Sequence, residues 1–126
     1  MSRLTDIDNY LVVENGQIKE STFKQDIQIQ NQTLTINEDA KVQIIYKATQ
    51  EGDYQFDITL KEHLHVDLIE MYEASTKCRF TKNIKVNESC EVLRYVEKNS
   101  HENISIDLDE NVDVCANAHI SCAYVE

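Results

Sequence analysis

The segment ITLKEHLHVDLIE, residues 58–70, contains three side chains of the types that bind divalent metal ions. His63 and His65 are one residue apart, and Glu70 follows five residues after His65. Two imidazoles and one carboxylate suit Zn, Fe, Mn or Ni. The segment is therefore a candidate metal site, provided that the fold turns all three side chains toward one point.

Three other segments of the chain align without gaps with the first nine residues of this one. The four begin at Leu34, Ile58, Ile84 and Ile106 and read LTINEDAKV, ITLKEHLHV, IKVNESCEV and IDLDENVDV. Each alternates apolar with other residues, as does a strand with one buried face, and their starts are 24, 26 and 22 residues apart. Equivalent strands that recur in one direction at this period predict a parallel β-solenoid.

The repeats predict an all-β fold, a right-handed parallel β-helix of about four rungs, because parallel crossovers are nearly always right-handed. Residues 34–126 form its core, and residues 1–33, with a hairpin around the turn ENG, form a capping segment of the same domain. The residues expected to point inward are Leu34, Ile36, Ala40 and Val42; Ile58, Leu60, Leu64 and Val66; Ile84, Val86, Cys90 and Val92; Ile106, Leu108, Val112 and Val114. The glutamates that recur at positions 38, 62, 88 and 110 are expected to point into solvent, because stacked carboxylates repel one another.

This register argues against the metal site. Successive residues of a strand point to opposite faces, so His63 and His65 face outward if Leu64 and Val66 face the core. The sister segments carry polar residues at the two histidine positions: Asp39 and Lys41, Ser89 and Glu91, Asn111 and Asp113. We therefore predict no metal site here, and keep His63, His65 and Glu70 as an alternative ligand set.

The four cysteines, at positions 78, 90, 115 and 122, form no CxxC pair. Cys90 occupies an inward position and is expected to be a small buried hydrophobe. The other thiols, with two histidines, are a candidate set of cofactor ligands if the corners of the solenoid align: Cys78, His101, Cys115, His119 and Cys122. Free thiols are the default expectation in a reducing compartment.

Charge and composition narrow the function. The chain has 12 Lys and Arg against 23 Asp and Glu, a formal charge of -11, so a nucleic-acid backbone would be repelled. It has no apolar run of the length that a membrane span needs and no apolar signal core, which predicts a cytoplasmic protein. Two glycines cannot build a phosphate-binding loop, and no carboxylate pair stands out among the many acids. We therefore expect a protein that is not an enzyme.

The phrase VDLIEMYEAS, followed by FTKNIKVNESCEVLRYV, resembles the β-helix core of SufB and SufD, the SUF-system iron–sulfur cluster assembly proteins. The likeness runs from about Asn31 to Ala118. It depends on the apolar pattern together with Glu70, Asn83 and Glu88.

The resemblance implies a cytoplasmic, non-catalytic scaffold subunit of iron–sulfur cluster assembly with a transient iron–sulfur cluster as its cofactor. Its implied partners are a homologous β-helix subunit, or a second copy, and the SUF ATPase. Members of that family continue through further rungs into a helical segment that docks the ATPase, and their Cys and His near the cluster lie there. Since this chain reaches only Glu126, we expect a fragment or a minimal relative and assign none of those ligands. The last segment, ISCAYVE, would leave an open end that self-association covers.

Two alternatives remain open. The spacing of His63, His65 and Glu70 matches the first motif of the cupins, which predicts a small cupin-like metal-binding β-barrel. However, Asp57 and Lys77 stand where that motif has glycines, and the chain has no proline for the second motif. The other alternative is a β-solenoid that serves as an interaction or carbohydrate-binding module.

Overall fold

The computed structural model describes residue 4, residues 6–101 and residues 103–125. These residues are stacked in a β-solenoid of about four turns, which confirms the predicted fold class. Over the described ranges no helix forms, so none is long and apolar enough to cross a membrane. Right-handed coiling stays a prediction.

The described residues contain twelve strands in two sheets, and most neighbouring strands in each sheet are parallel. The strands are β1 (Asn9–Glu14), β2 (Gln17–Thr22), β3 (Ile27–Gln30), β4 (Thr33–Ile36), β5 (Ala40–Ala48), β6 (Asp53–Gln55), β7 (Asp57–Leu60), β8 (His65–Ala74), β9 (Cys78–Val86), β10 (Glu91–Ser100), β11 (Ile106–Val114) and β12 (His119–Val125). The first sheet, which we call sheet A, has the order β12-β10-β8-β5-β1-β2. The second, sheet B, has the order β11-β9-β7-β4-β3, and β6 also pairs with β9. Each turn of the solenoid passes once through each sheet.

The core lies between the two sheets and follows the alternation in the sequence. In the first three segments the predicted inward residues are buried, except for Ala40, which is half-buried. Ala40 pairs with Val66 and not with Leu64. The reason is that, counted between the paired residues on either side, the corner between β4 and β5 is two residues shorter than the corner between β7 and β8. Variation in corner length therefore explains part of the irregular period.

The predicted alignment of the fourth segment is wrong by six residues. Val112 pairs with Ile84, and Val114 pairs with Val86, so the segment equivalent to the third one begins at Val112. Glu110 consequently lies beside Lys82 in the register of sheet B. It turns toward the interior, and the expectation that it points into solvent is also wrong. The error arose because an alternating apolar pattern fits both alignments equally well.

One residue at the same corner of each later turn has a left-handed backbone. These residues are His63, Ser89 and Asn117, with φ of 62°, 60° and 60°. The His63 N–H donates to the carbonyl of Glu88 and the Ser89 N–H to that of Ala116, so the corners stack in register. Glycine adopts this left-handed conformation most readily, and here other residues adopt it. The chain, which has two glycines, can therefore turn at these corners without one.

The N-terminal end of the solenoid is closed by antiparallel strands. β1 runs parallel to β5, and a turn at Asn15 and Gly16, both with positive φ, returns the chain antiparallel as β2. β3 closes sheet B in the same way by pairing antiparallel with β4. β2 carries Lys19 and Glu20, and β3 has only four residues. Charged or very short terminal strands resist pairing with another chain.

Candidate functional site

Four charged side chains occupy inward positions on adjacent turns, and we call them the interior ion cluster: Glu70, Lys82, Arg94 and Glu110. In sheet A, inward residues that pair across successive strands form columns. Glu70 on β8 pairs with Ile44 on β5 in one column, and Arg94 on β10 pairs with Leu68 on β8 in the next. On sheet B, Lys82 and Glu110 are neighbours in one column. The period of two that buries the apolar residues therefore also buries these charges.

The Glu70 carboxylate is the centre of the cluster. It accepts hydrogen bonds from Lys82 Nζ, from Arg94 Nε and from the Tyr46 hydroxyl, the last at 2.9 Å. The Arg94 guanidinium also reaches Glu110, with Nη1 donating to Oε2 at 2.9 Å and Nη2 to the other oxygen. Arg94 thus bridges two carboxylates from different turns and different sheets.

Burial and charge pairing act together on these groups. Desolvation raises the pKa of Glu70, but the Lys82 and Arg94 cations outweigh it and hold that pKa below its ordinary value. Desolvation lowers the pKa of Lys82 despite the nearby carboxylate. Desolvation also lowers the pKa of Arg94, but the hydrogen bond to Glu110 and the charge of Glu70 outweigh it, so the net shift is upward. The formal charges of the two basic and two acidic side chains balance, and pairing of this kind is the condition for burying charge.

An aromatic layer packs against the cluster. The rings of Tyr46 and Tyr72 are stacked with centroids 4.6 Å apart, and Lys82 Nζ lies 4.3 Å from the centroid of Tyr46. Burial, and next the charge of Glu70, raise the pKa of both tyrosines well above the ordinary value. The Tyr72 hydroxyl is buried without a hydrogen-bond partner among the described atoms. Both phenols therefore stay protonated, and that of Tyr46 acts as a donor.

The interior ion cluster is closed to solutes at its centre. Glu70 and Lys82 are 0% and 1% exposed, so neither can reach a substrate as an acid, base or nucleophile. Only its outer edge, where the Tyr124 hydroxyl donates to Glu110 at 2.8 Å, approaches solvent. The arrangement joins successive turns and both sheets, and we expect it to favour a single register, a role that buried polar groups fill in some other folds.

The three metal-ligand candidates do not face one another. His65 is an exposed outward residue of β8, and Glu70 on the same strand points inward. His63 lies at an exposed corner, and its nearest acidic partner is Glu62, with Nε2 and Oε2 3.9 Å apart. His65 Nδ1 lies 3.8 Å from Glu91 Oε2. The spacing that resembled a cupin motif therefore places His65 and Glu70 on opposite faces of β8 and His63 at the corner before that strand.

The thiol and imidazole candidates lie at two ends of the strands. Cys78 begins β9 and His101 follows β10, so these two share one corner. Cys115 and His119 flank the opposite corner, and nine-residue strands separate the two corners by roughly 25 Å. Cys122 lies on β12 in the inward column of sheet A, whereas His119 points outward. The structure thus brings these five residues into no single ligand set.

Cys90 is buried, as the sequence predicted. Its Sγ donates to the carbonyl of Lys61 at 2.8 Å. Among the described residues no group of three or more His, Cys, Asp or Glu is arranged to hold a metal ion.

In the last described turn each sheet ends in a strand with one unpaired edge, and we call this side of the solenoid the open end. β11 is the terminal strand of sheet B and β12 that of sheet A. Positions that are inward and buried in earlier turns are exposed in this turn, and their residues include Val112, Val114 and Tyr124. β11 carries acidic residues that face outward, some of them paired with Arg79, but the seven residues of β12 carry no formal charge. β12 therefore lacks the charges that protect an edge strand.

Sequence analysis did not identify the interior ion cluster. Its signal was available, because Glu70, Lys82 and Arg94 each stand between apolar residues at inward positions of a strand. Comparison of the chain with protein family models, with curated proteins and with solved structures gave no match. The resemblance to SufB and SufD therefore stays a prediction.

Proposed function

We propose that this chain is a non-catalytic scaffold whose open end docks with a partner β-solenoid, either a second copy or a homologous subunit. The observation that carries the proposal is the contrast between the two ends. The N-terminal end is closed by short or charged antiparallel strands, whereas β12 presents seven uncharged residues with an unpaired backbone. A partner strand would satisfy that backbone and cover Val114 and Tyr124.

The non-catalytic part of the proposal is supported by where the perturbed groups lie. Residues with strongly shifted pKa values are common at active sites. Here Glu70, Lys82, Tyr46 and Tyr72 are enclosed between the sheets. The charges of Glu70 and Lys82 are paired within the protein, and the two phenols are enclosed beside them.

We further propose iron–sulfur cluster assembly as the setting, with the SUF ATPase as an additional partner. Support comes from the β-solenoid fold, which is the fold that the resemblance implies. Cys122 is the exposed thiol nearest to a docking partner, because it lies on β12. Anaerobic reconstitution with iron and sulfide should then give visible charge-transfer absorption that Cys122→Ser reduces. A colourless native protein would count against a role in iron–sulfur cluster assembly but not against the scaffold role.

Hydrogen exchange of the β12 amides tests docking at the open end. The native chain should show slower exchange in β12 as its concentration rises, because a second copy protects the unpaired N–H groups. Val114→Lys, at an exposed inward position of β11, should abolish that gain, and Ile18→Lys, at an equally exposed position of β2, should keep it. Exchange in β12 that is independent of concentration, together with a monomeric mass throughout, would count against self-docking.

A further inference from the structure

An apolar stripe crosses the outer face of sheet A, on the side away from the core. Near β1 and β5 it is a buried cluster formed by Tyr10, Val12, Ile45 and Met71, with Ile69 packed against it. It continues onto β10, where Leu93 is 63% and Tyr95 is 37% exposed. A groove of about 400 Å³ lies there, lined by residues of β8, β10 and β12, and we call it the outer groove.

The chain itself contacts the first part of this stripe at Leu4. The N–H of Leu4 donates to Gln43 Oε1 at 2.9 Å, and Gln43 is an outward residue of β5. Ile7, just before β1, is buried. The same stripe lies open over Leu93 and Tyr95.

Carboxylates outnumber cations around the outer groove. The outward residues of the three strands that form its floor are His65, Asp67, Ile69, Met71 and Glu73 of β8; Glu91, Leu93, Tyr95, Glu97 and Asn99 of β10; and His119, Ser121, Ala123 and Val125 of β12. Four of these described residues carry carboxylates and none is Lys or Arg. On the neighbouring strand β5, however, Lys41 lies beside Asp67 and Lys47 beside Glu73. The acidic residues that flank Leu93 and Tyr95 without a Lys or Arg on an adjacent strand are therefore Glu91 and Glu97. An occupant with basic side chains beside its apolar ones would complement this face.

We propose that the outer groove binds a basic amphipathic segment of a partner protein. Its apolar side chains would fill the space beside Leu93 and Tyr95, and its Lys or Arg would face Glu91 and Glu97. Tyr is enriched at interface hot spots, and an uncovered apolar groove with a polar rim marks a site of interaction. The outer groove is distinct from the open end, because it lies on the outer face of sheet A, although β12 contributes to both.

A labelled synthetic peptide of Leu and Lys, arranged with one apolar and one basic face, is the probe for this site. Fluorescence anisotropy should show that the full chain binds it with a Kd on the order of micromolar, weakening as salt is added. A matched peptide with Glu in place of Lys should not bind. Leu93→Ser and Tyr95→Ser should each weaken binding by about tenfold, a loss within the range measured at interface hot spots.

Ile18→Ser is the matched control, because Ile18 is an exposed apolar residue on β2, away from the groove. It should leave the affinity unchanged. Val114→Lys should also leave it nearly unchanged, so a failure of this proposal is distinguishable from a failure of docking at the open end. Equal affinity for the Lys and Glu peptides, or unchanged affinity in both groove variants, would overturn the proposal. It would also be overturned if the groove variants bound the peptide normally but became monomeric, since the occupant would then be a second copy.

Discussion

Replacing Glu70 with leucine separates a structural role for the interior ion cluster from an incidental one. The size of the new side chain suits the site, because Ile44 and Val96 occupy the adjacent places in the same column. What changes is charge. Lys82 and Arg94 would remain buried with Glu110 as the single carboxylate, and the Tyr46 hydroxyl would lose its acceptor.

The expected loss follows from this imbalance. Removing one partner of a buried ion pair costs about 3–5 kcal/mol, a large share of the roughly 5–15 kcal/mol that stabilises a typical domain. Adding Lys82→Met restores neutrality, because Arg94 and Glu110 remain paired, and Phe56 in the column of Lys82 shows that an apolar side chain fits there. The double variant then lacks chiefly the acceptor of Tyr46, a loss of about 1–3 kcal/mol.

Urea unfolding followed by circular dichroism measures both variants against the native chain. The double variant should be more stable than Glu70→Leu alone, although it carries one more substitution. Two results would refute the reasoning. One is a loss below about 1 kcal/mol in Glu70→Leu, and the other is a double variant less stable than the single one.

Two further predictions concern pH and register. The folded-state pKa of Glu70 lies below its ordinary value, so its stabilisation is complete above the unfolded carboxyl pKa of about 4.3 and is lost as pH falls through the folded value. The free energy of unfolding should therefore fall more steeply in acid for the native chain than for Glu70→Gln, and equal slopes would contradict this. For register, Leu64→Asp should cost roughly 3 kcal/mol or more because it buries a charge, whereas His65→Asp should be tolerated at its exposed position. Thermal unfolding compares the two, and the opposite ranking would mean that the faces are inverted.

Alternation of apolar residues predicted the fold from the sequence because a strand has only two faces. Leu34, Ile58 and Ile84 mark the first three segments, and each is buried at the expected place. The same property limited the prediction for the last turn. A shift of six residues preserves the alternation, so both Ile106 and Val112 were acceptable starts, and only the pairing of Val112 with Ile84 decides between them.

The interior ion cluster could not be assembled from the sequence in the same way. The alternation along β9 and β10 shows that Lys82 and Arg94 point inward. Their contact with Glu70, however, depends on how the strands of neighbouring turns pair, which the alternation does not show. Glu110 joins the cluster through the shifted register, so the error in aligning the last segment also concealed a fourth member. The histidines were predictable as outward residues because the strand period alone decides that question.

Under the proposed docking, the difference between the two ends of the described solenoid would limit the size of an assembly. A solenoid with two receptive ends can add copies head to tail without limit and form a filament. Within the described residues one end is closed by β2 and β3, and we propose docking at the other, formed by β11 and β12. Under that proposal two copies would meet tail to tail, and each would cover the free edge of the other. The proposed docking would therefore give closed pairs instead of a filament.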